Sequence, residues 1–461
     1  MRRFSCLCEI EQGNIFFGKR LLSRRRATKM ANVIYRKSGL KGILQIPPSK
    51  SAAHRAVLCA ALSQGNCEIG NLELSDDLTA TVNAVKALGG IASYDKKRKT
   101  LLVQSADLGG KTAEIDCLES GSTLRFMIPV AAALGVKTTF YGKGRLPQRP
   151  LGIYQKLLPE HGVLLQTEGG LPLKMEGKLH AGSYTLPGNV SSQFVTGLLL
   201  ALPLLEGDSE IVLSSELESK GYVDLTISIL ADFGVSVSET ATGWHIPGGQ
   251  KYCARRYVVE GDWSQAAFFL CLAALGGGKI QIAGLLESSY QGDRVCVSLF
   301  ERFGLQLAFE DGVLKAWNPN AKQPFGGLKG FAIDVAQIPD MVPALTVCAC
   351  AAEGETKIYH AERLRLKESD RLAAMAAAMN ALGGRVTEMQ DGLMIKGVPY
   401  FSGGRAEGRN DHRIVMALAA AACRSSKEVC VTDAWSVRKS YPGFFEDLRK
   451  LGGIADVIDV G

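Results

Sequence analysis

Six times along the chain, apolar residues spaced for one face of a helix run up to a glycine and pass straight into a strand-like stretch. The instances are VNAVKALGGIASY (82–94), IYQKLLPEHGVLLQT (153–167), ISILADFGVSVS (227–238), SLFERFGLQLAF (298–309), MAAAMNALGGRVTEM (375–389) and FEDLRKLGGIADV (445–457). Glycine just past a helix end takes the left-handed conformation at little steric cost, so each run predicts a helix C-terminus. The marker glycines lie near 89, 162, 234, 304, 383 and 452, at gaps of 73, 72, 70, 79 and 69 residues. This predicts one supersecondary unit repeated six times, longer than a common solenoid repeat of roughly 20–50 residues. Each interval also holds a second helical run and further strands, as in HRAVLCAALSQG before CEIGNLEL. The unit reads strand–helix–strand–helix–strand–strand. Three units per globule predict two α/β domains of about 200 residues each. The expected crossovers are IPPSKS (46–51) and VVEGDW (258–263), which divides the chain into 48–260 and 30–47 plus 261–461.

Polar clusters recur where the Ala/Leu-rich helices open. They are PSKSAAHR (48–55), ESGSTLRF (119–126), GNVSSQFVTG (188–197), KESDRLAAMAAAM (367–379), NDHRIVMALAAAA (410–422) and RKSYPGFF (438–445). Ser, Thr and Asn there serve as helix caps; Ser440 is the expected cap of the last helix, with Pro442 in its first turn. Caps do not need cations. Lys50, Lys367, Arg371, His412, Arg413 and Lys439 all fall within about a turn of a helix start, where the macrodipole disfavours each cation by roughly 0.3–1 kcal/mol. Helix N-termini that converge and carry Lys and Arg make a site for anions. Ser51 and Arg55, like Lys367 and Arg371, are four residues apart and face the same way. Asp340, in AQIPDMVPAL, and Glu368 add carboxylates. Glu368 reads either as an ordinary first-turn helix acid or as a base kept ionised by its cations, and Asp340, after the strand-like FAIDV, as a second candidate base. The pattern alone points to a two-domain α/β enzyme acting on a polyanionic small molecule.

Composition narrows the class. The 461 residues are 46% hydrophobic and 21% charged, and the longest apolar runs fall short of the roughly 18–20 residues of a membrane span. The formal charge is +7, but residues 1–29 hold eight Lys/Arg against two Glu, which leaves +1 for the rest. A near-neutral body argues against nucleic-acid binding. The basic segment lacks an apolar core for secretion and reads as an overlong start or disordered tail, with an organelle-targeting peptide as the alternative. Twelve cysteines without a CxxC pair, mostly in apolar runs, suggest buried thiols in a reducing cytoplasm. Six histidines without HxxxH or HExxH spacing give no metal site.

From about residue 33 onward the chain resembles the 5-enolpyruvylshikimate-3-phosphate synthase family. The resemblance rests on PPSKSAAHRA, SGSTLRF, GKGRLPQRP, VSSQF, SKGYVDLT, VEGDWSQAAFF, IPDMVPAL, LRLKESDRL, NDHRIVMA and RKSYPGFF, in that order. It implies two inside-out α/β domains of three repeats each. It also implies transfer of the enolpyruvyl group of phosphoenolpyruvate to the 5-hydroxyl of shikimate 3-phosphate by a cytoplasmic monomer, with no metal or organic cofactor. Carried over by motif, Lys50, Ser51, Arg55, Ser191, Ser192, Gln193, Ser219, Tyr222, Asp340 and Lys367 would bind shikimate 3-phosphate. Lys50, Gly121, Arg149, Gln193, Arg371, Arg413 and Lys439 would bind phosphoenolpyruvate. Asp340 would accept the hydroxyl proton and Glu368 would handle the proton at C3 of phosphoenolpyruvate, with His412 close by; Lys50 and His412 complete the catalytic set that the resemblance implies. The related transfer to UDP-N-acetylglucosamine is the alternative, but the loop GKGRLPQRP (142–150) lacks the reactive Cys usual there. Three positions depart from the family pattern: Glu119 for a frequent Asn, Arg363 for an Asn of some members, and Ser122 for a common Thr. Gly121 keeps room for phosphoenolpyruvate analogues, so inhibition by glyphosate is expected.

Overall fold

The computed structural model describes residues 30–104 and 112–460. The basic segment 1–29, Cys6 and Cys8 lie outside the described residues. Every marker glycine has positive φ: 99° at Gly89, 87° at Gly162, 79° at Gly234, 117° at Gly304, 91° at Gly383 and 90° at Gly452. A side chain would be strained at each, which is why the same residue recurs at the same point of every unit.

Among the described residues the strands form six four-stranded sheets and one two-stranded ribbon. All six sheets follow one plan: a parallel pair, then two strands added antiparallel. In the second unit Thr112–Asp116 runs parallel to Lys137–Tyr141, which pairs antiparallel with Leu173–Gly177, and that with Val163–Gln166. Three sheets borrow a strand from a distant part of the chain. Arg256–Val258 supplies the outer parallel strand of the first sheet, beside Asn66–Gly70. Gly42–Gln45 does the same for the fourth, beside Ile280–Ala283. Met30–Arg36 fills an inner place in the sixth, between Val429–Val431 and Ile454–Val460.

The apolar residues fall into two cores. One draws on residues between 52 and 259, the other on 31–46 and 263–455. Three buried helices occupy the centre of each: Lys50–Leu62, Gly121–Ala133 and Ser192–Ala201 in the first, Trp263–Gly276, Val342–Ala351 and His412–Ala422 in the second. Helices apolar on all sides belong inside, and here the sheets cover them. The two passages between cores run side by side. Pro48 bridges Gly261, the Ser49 amide donates to Glu260 O at 2.7 Å, and the Asp262 amide donates to Pro47 O at 3.0 Å.

Caps set where most of the central helices begin. Ser49, Ser120, Ser191, Asp262 and Asp411 each accept a backbone N–H from the first turn of the helix that follows. The last helix corrects the sequence reading. It spans Phe444–Lys450 with Gly443 at its start and no side-chain cap, while Ser440 ends a 3₁₀ turn, Ala434–Lys439. Pro442 disfavours helical backbone at Tyr441, so the helix starts only after the proline.

Candidate active site

The helix starts of both halves meet at a cleft. Sixteen of the seventeen residues singled out in the sequence line it: Lys50, Ser51, Arg55, Gly121, Arg149, Ser191, Ser192, Gln193, Ser219, Tyr222, Asp340, Lys367, Glu368, Arg371, His412 and Arg413. Lys439 is not among them.

At the centre stands Arg371, 1% exposed, whose guanidinium faces three carboxylates. Nε donates to Asp411 Oδ2 at 2.8 Å, Nη1 to Asp340 Oδ1 at 2.8 Å and Nη2 to Glu368 Oε2 at 2.7 Å. Arg413 Nη2 donates to the other oxygen of Asp340 at 2.9 Å, and Lys367 Nζ lies 3.7 Å from Asp340 Oδ1. Burial raises the pKa of Asp340, but Arg413, Lys367, Arg371 and Lys50 outweigh it and hold the carboxyl well below the usual range. Glu368 is likewise buried yet kept ionised, by Arg371 and by Arg149, whose Nη1 is 3.6 Å away. Burial, with Arg371 and Arg363 nearby, outweighs Asp340 and Glu368 and pulls Lys367 the other way, down to about 8. His412 is 1% exposed, and burial with Lys50 and Arg413 nearby holds it well below 6.5, so the ring is neutral near pH 7.

The other wall comes from the first core. Pro129 sits inside the helix Gly121–Ala133 and has no N–H to give the carbonyl of Arg125, four residues back. Tyr154 Oη lies 3.0 Å from that carbonyl and 2.9 Å from Phe194 O. A side chain on Gly197 would crowd both the carbonyl and the phenol. The Arg125 side chain reaches the cleft, donating to Gln193 Oε1 at 2.8 Å, and Gln193 Nε2 donates to Ser122 Oγ at 3.0 Å. Burial, with Arg149 beside it, lowers Arg125 to about 9. Arg55 is held by Thr226 Oγ1 at 2.7 Å, Ser51 O at 2.7 Å and Tyr222 O at 3.0 Å. Gly121 opens its helix under two guanidiniums; a Cβ there would stand 2.7 Å from Arg149 Nη1 and 2.9 Å from Arg125 Nη1.

Two of the departures pair with residues far away in the chain. Glu119 Oε2 pairs with Lys439 Nζ at 2.7 Å, and Asn410 Nδ2 approaches the same carboxylate at 3.3 Å. Lys439 is therefore occupied by an acid 320 residues earlier. Arg363 pairs with Glu218 at 2.8 Å and donates to Ser219 Oγ at 2.8 Å. Ser219 itself has φ 59°, a left-handed backbone just before the helix Lys220–Asp232. Sequence reasoning gave no site role to Arg125, Arg363 or Asp77; all three line the cleft, and Asp77 takes a 2.8 Å bond from Lys50 Nζ. Arg125 stands in a quoted motif, SGSTLRF, and could have been singled out there; Asp77 carries no such signal. Among the described residues no cluster of His, Cys, Asp and Glu is disposed to hold a metal ion.

The scaffold of six like sheets is also the fold of a solved enolpyruvyl transferase. The solved enolpyruvyl transferase NikO from Streptomyces tendae superposes with a TM-score of 0.75 at 17% identity, covering 94% of this chain and all of its own. EPSP synthase from Acinetobacter baumannii superposes with a TM-score of 0.77 at 25% identity, over 93% of this chain and 100% of that one. The family described as EPSP synthase (3-phosphoshikimate 1-carboxyvinyltransferase) matches residues 34–448. Proteins named 3-phosphoshikimate 1-carboxyvinyltransferase from Clostridium perfringens and Clostridium kluyveri are 43% and 44% identical, each over 92% of this chain and 99% and 97% of their own. The chain belongs to the EPSP synthase family.

Proposed function

We propose that this chain transfers the enolpyruvyl group of phosphoenolpyruvate to the 5-hydroxyl of shikimate 3-phosphate and releases phosphate. The observation that supports this most is the cleft's charge pattern. Arg371, Arg413, Arg149 and Lys367 are gathered there around only two carboxylates, Asp340 and Glu368. Two multiply charged anions must approach each other in this reaction, and cations fixed beforehand cancel their repulsion without reorganising.

In this reading Lys50, Ser51, Arg55, Ser191, Ser192, Gln193, Ser219, Tyr222 and Lys367 hold shikimate 3-phosphate. Gly121, Arg149, Gln193, Arg371, Arg413 and Lys439, with Lys50, hold phosphoenolpyruvate. Asp340 takes the proton of the 5-hydroxyl as its oxygen attacks C2. Glu368 serves C3, which gains a proton in the adduct and loses one as phosphate departs, with neutral His412 beside it. The segments 48–260 and 30–47 plus 261–461 act as two units that close over the substrates and exclude water. The enzyme works as a cytoplasmic monomer, with neither metal nor organic cofactor. Among the described residues no helix is long and apolar enough to cross a membrane.

The test is phosphate release from phosphoenolpyruvate by the purified chain in the presence of a chelator. Release that depends on shikimate 3-phosphate is expected. Release only with UDP-N-acetylglucosamine would overturn the acceptor.

A further inference from the structure

Among the buried acids that the mechanism leaves unused, Asp293 stands directly behind a substrate-binding residue. Asp293 lies in the 3₁₀ turn Gly292–Val295, 1% exposed, behind Tyr222. Tyr222 Oη stands 3.2 Å from Asp293 Oδ2 and 3.3 Å from Asp340 Oδ2. Ser264 Oγ donates to the same Oδ2 of Asp293, while Oδ1 is buried without a hydrogen-bond partner. A phenol has one proton to give, so only one of the two carboxylates can receive it. The other faces a lone pair unless a further proton enters the trio. The geometry is that of a short proton wire: carboxylate, phenol, carboxylate.

We propose that Asp293, acting through Tyr222, receives the proton that Asp340 takes from the acceptor hydroxyl. This rests on the reading of Asp340 as the base. As the new bond from oxygen to C2 forms, the O–H bond breaks and its proton goes to Asp340 Oδ2. Tyr222 Oη then accepts that proton and gives its own to Asp293 Oδ2. The net change is one proton moved from Asp340 to Asp293, with no oxidation or reduction. The reverse passage resets the wire when phosphate leaves and takes up a proton. Asp293 touches no substrate atom; it makes Asp340 ready to accept.

The surroundings favour this direction. Asp340, clamped by two guanidiniums, is a weak base. Asp293 is faced by Tyr222 from the helix Lys220–Asp232, by Ser264 and Asp262 at the start of Trp263–Gly276, by Asp340, and by Arg413 from His412–Ala422, with Arg363 further off. Burial, then the charges of Asp340 and Asp262, outweigh Ser264 and Arg413 and push it up to about 6. The proton therefore rests more stably on the inner carboxyl.

The experiment measures kcat and KM of the full chain between about pH 5 and 9 for Asp293→Asn, Tyr222→Phe, their double variant and Asp340→Asn. Asp293→Asn should lower kcat by about tenfold to a hundredfold, with KM for shikimate 3-phosphate changed by less than about twofold. The acid limb of kcat near pH 6 should disappear with it, because the group that must be unprotonated is gone. Substrate phosphates also ionise near there, but a limb due to them would persist in the variant. Adding Asp293→Asn to Tyr222→Phe should cost less than about twofold more, as two cuts in one wire. A kcat within about twofold of the parent, an unchanged acid limb, or additive losses would each overturn the proposal. If Asp293→Asn does not accumulate folded, Tyr222→Phe must itself lower kcat and remove the limb, or the proposal fails. An inactive Asp340→Asn beside a fully active Asp293→Asn overturns the wire alone. A fully active Asp340→Asn overturns the base assignment and the wire with it.

Discussion

Replacing Arg371 by Met removes the charge that three buried carboxylates share while keeping much of the volume. Breaking a buried ion pair from one side costs about 3–5 kcal/mol, because a charge is left uncompensated. Here each acid retains a second partner: Asp340 keeps Arg413 at 2.9 Å, Glu368 keeps Arg149 at 3.6 Å, and Asp411 keeps Ser369 Oγ and the Arg413 amide, both at 3.0 Å. The loss should therefore be near that of one pair, about 4 kcal/mol, rather than three. At about 2–4 °C per kcal/mol for a domain of this size, Tm should fall by about 8–16 °C. The sign of the pH dependence follows from the carboxylates. Asp340 and Glu368 are held below their ordinary 3.8 and 4.5, so their stabilisation is complete above those values and is lost as pH falls through the lower folded ones. The parent and Arg371→Met should thus differ most near neutrality and converge in acid. Thermal unfolding followed by circular dichroism at neutral, mildly acidic and strongly acidic pH checks this. A Tm within about 2 °C of the parent near neutrality, or a gap that widens in acid, would refute the reasoning.

Other expectations follow from single contacts. Asp340→Ala should lower kcat by about a hundredfold to ten-thousandfold while calorimetry still detects shikimate 3-phosphate binding; equal loss of both would argue against its role as base. Gly121→Ala puts a methyl 2.7 Å from Arg149 Nη1, so KM for phosphoenolpyruvate should rise and inhibition by glyphosate should weaken, both read from initial rates. Glyphosate should inhibit the parent at low phosphoenolpyruvate; unchanged rates at millimolar inhibitor would contradict the fit around Gly121. Glu119→Asn frees Lys439 from its 2.7 Å partner, and KM for phosphoenolpyruvate should fall by about twofold to fivefold, the worth of a partly exposed pair. A rise in KM would mean that the pair holds the cleft together rather than competing with substrate.

Much of the architecture was legible because it depends on local rules that the chain repeats. A glycine past a helix end and a cap before the next helix act within a few residues of themselves, and six copies make the period visible. The same locality explains why the cationic helix starts could be found and why sixteen of the residues singled out share one cleft. Ser440 does not cap the last helix because the proline two residues on sets the helix start at Phe444.

The unit, its sixfold count and the residue types at each helix opening are local features, since propensity, capping and burial patterns are properties of short stretches. Tertiary structure decided which units exchange strands, as when Met30–Arg36 enters a sheet with Val429–Val431. It also decided which charges meet. Glu119 finds Lys439, Lys50 finds Asp77, and Tyr222 comes to stand between Asp293 and Asp340. Such pairings depend on how elements far apart in the chain are placed against each other. Coulomb energy and desolvation vary with distances of a few ångströms and with burial, and neither is written in the spacing of residues along a chain.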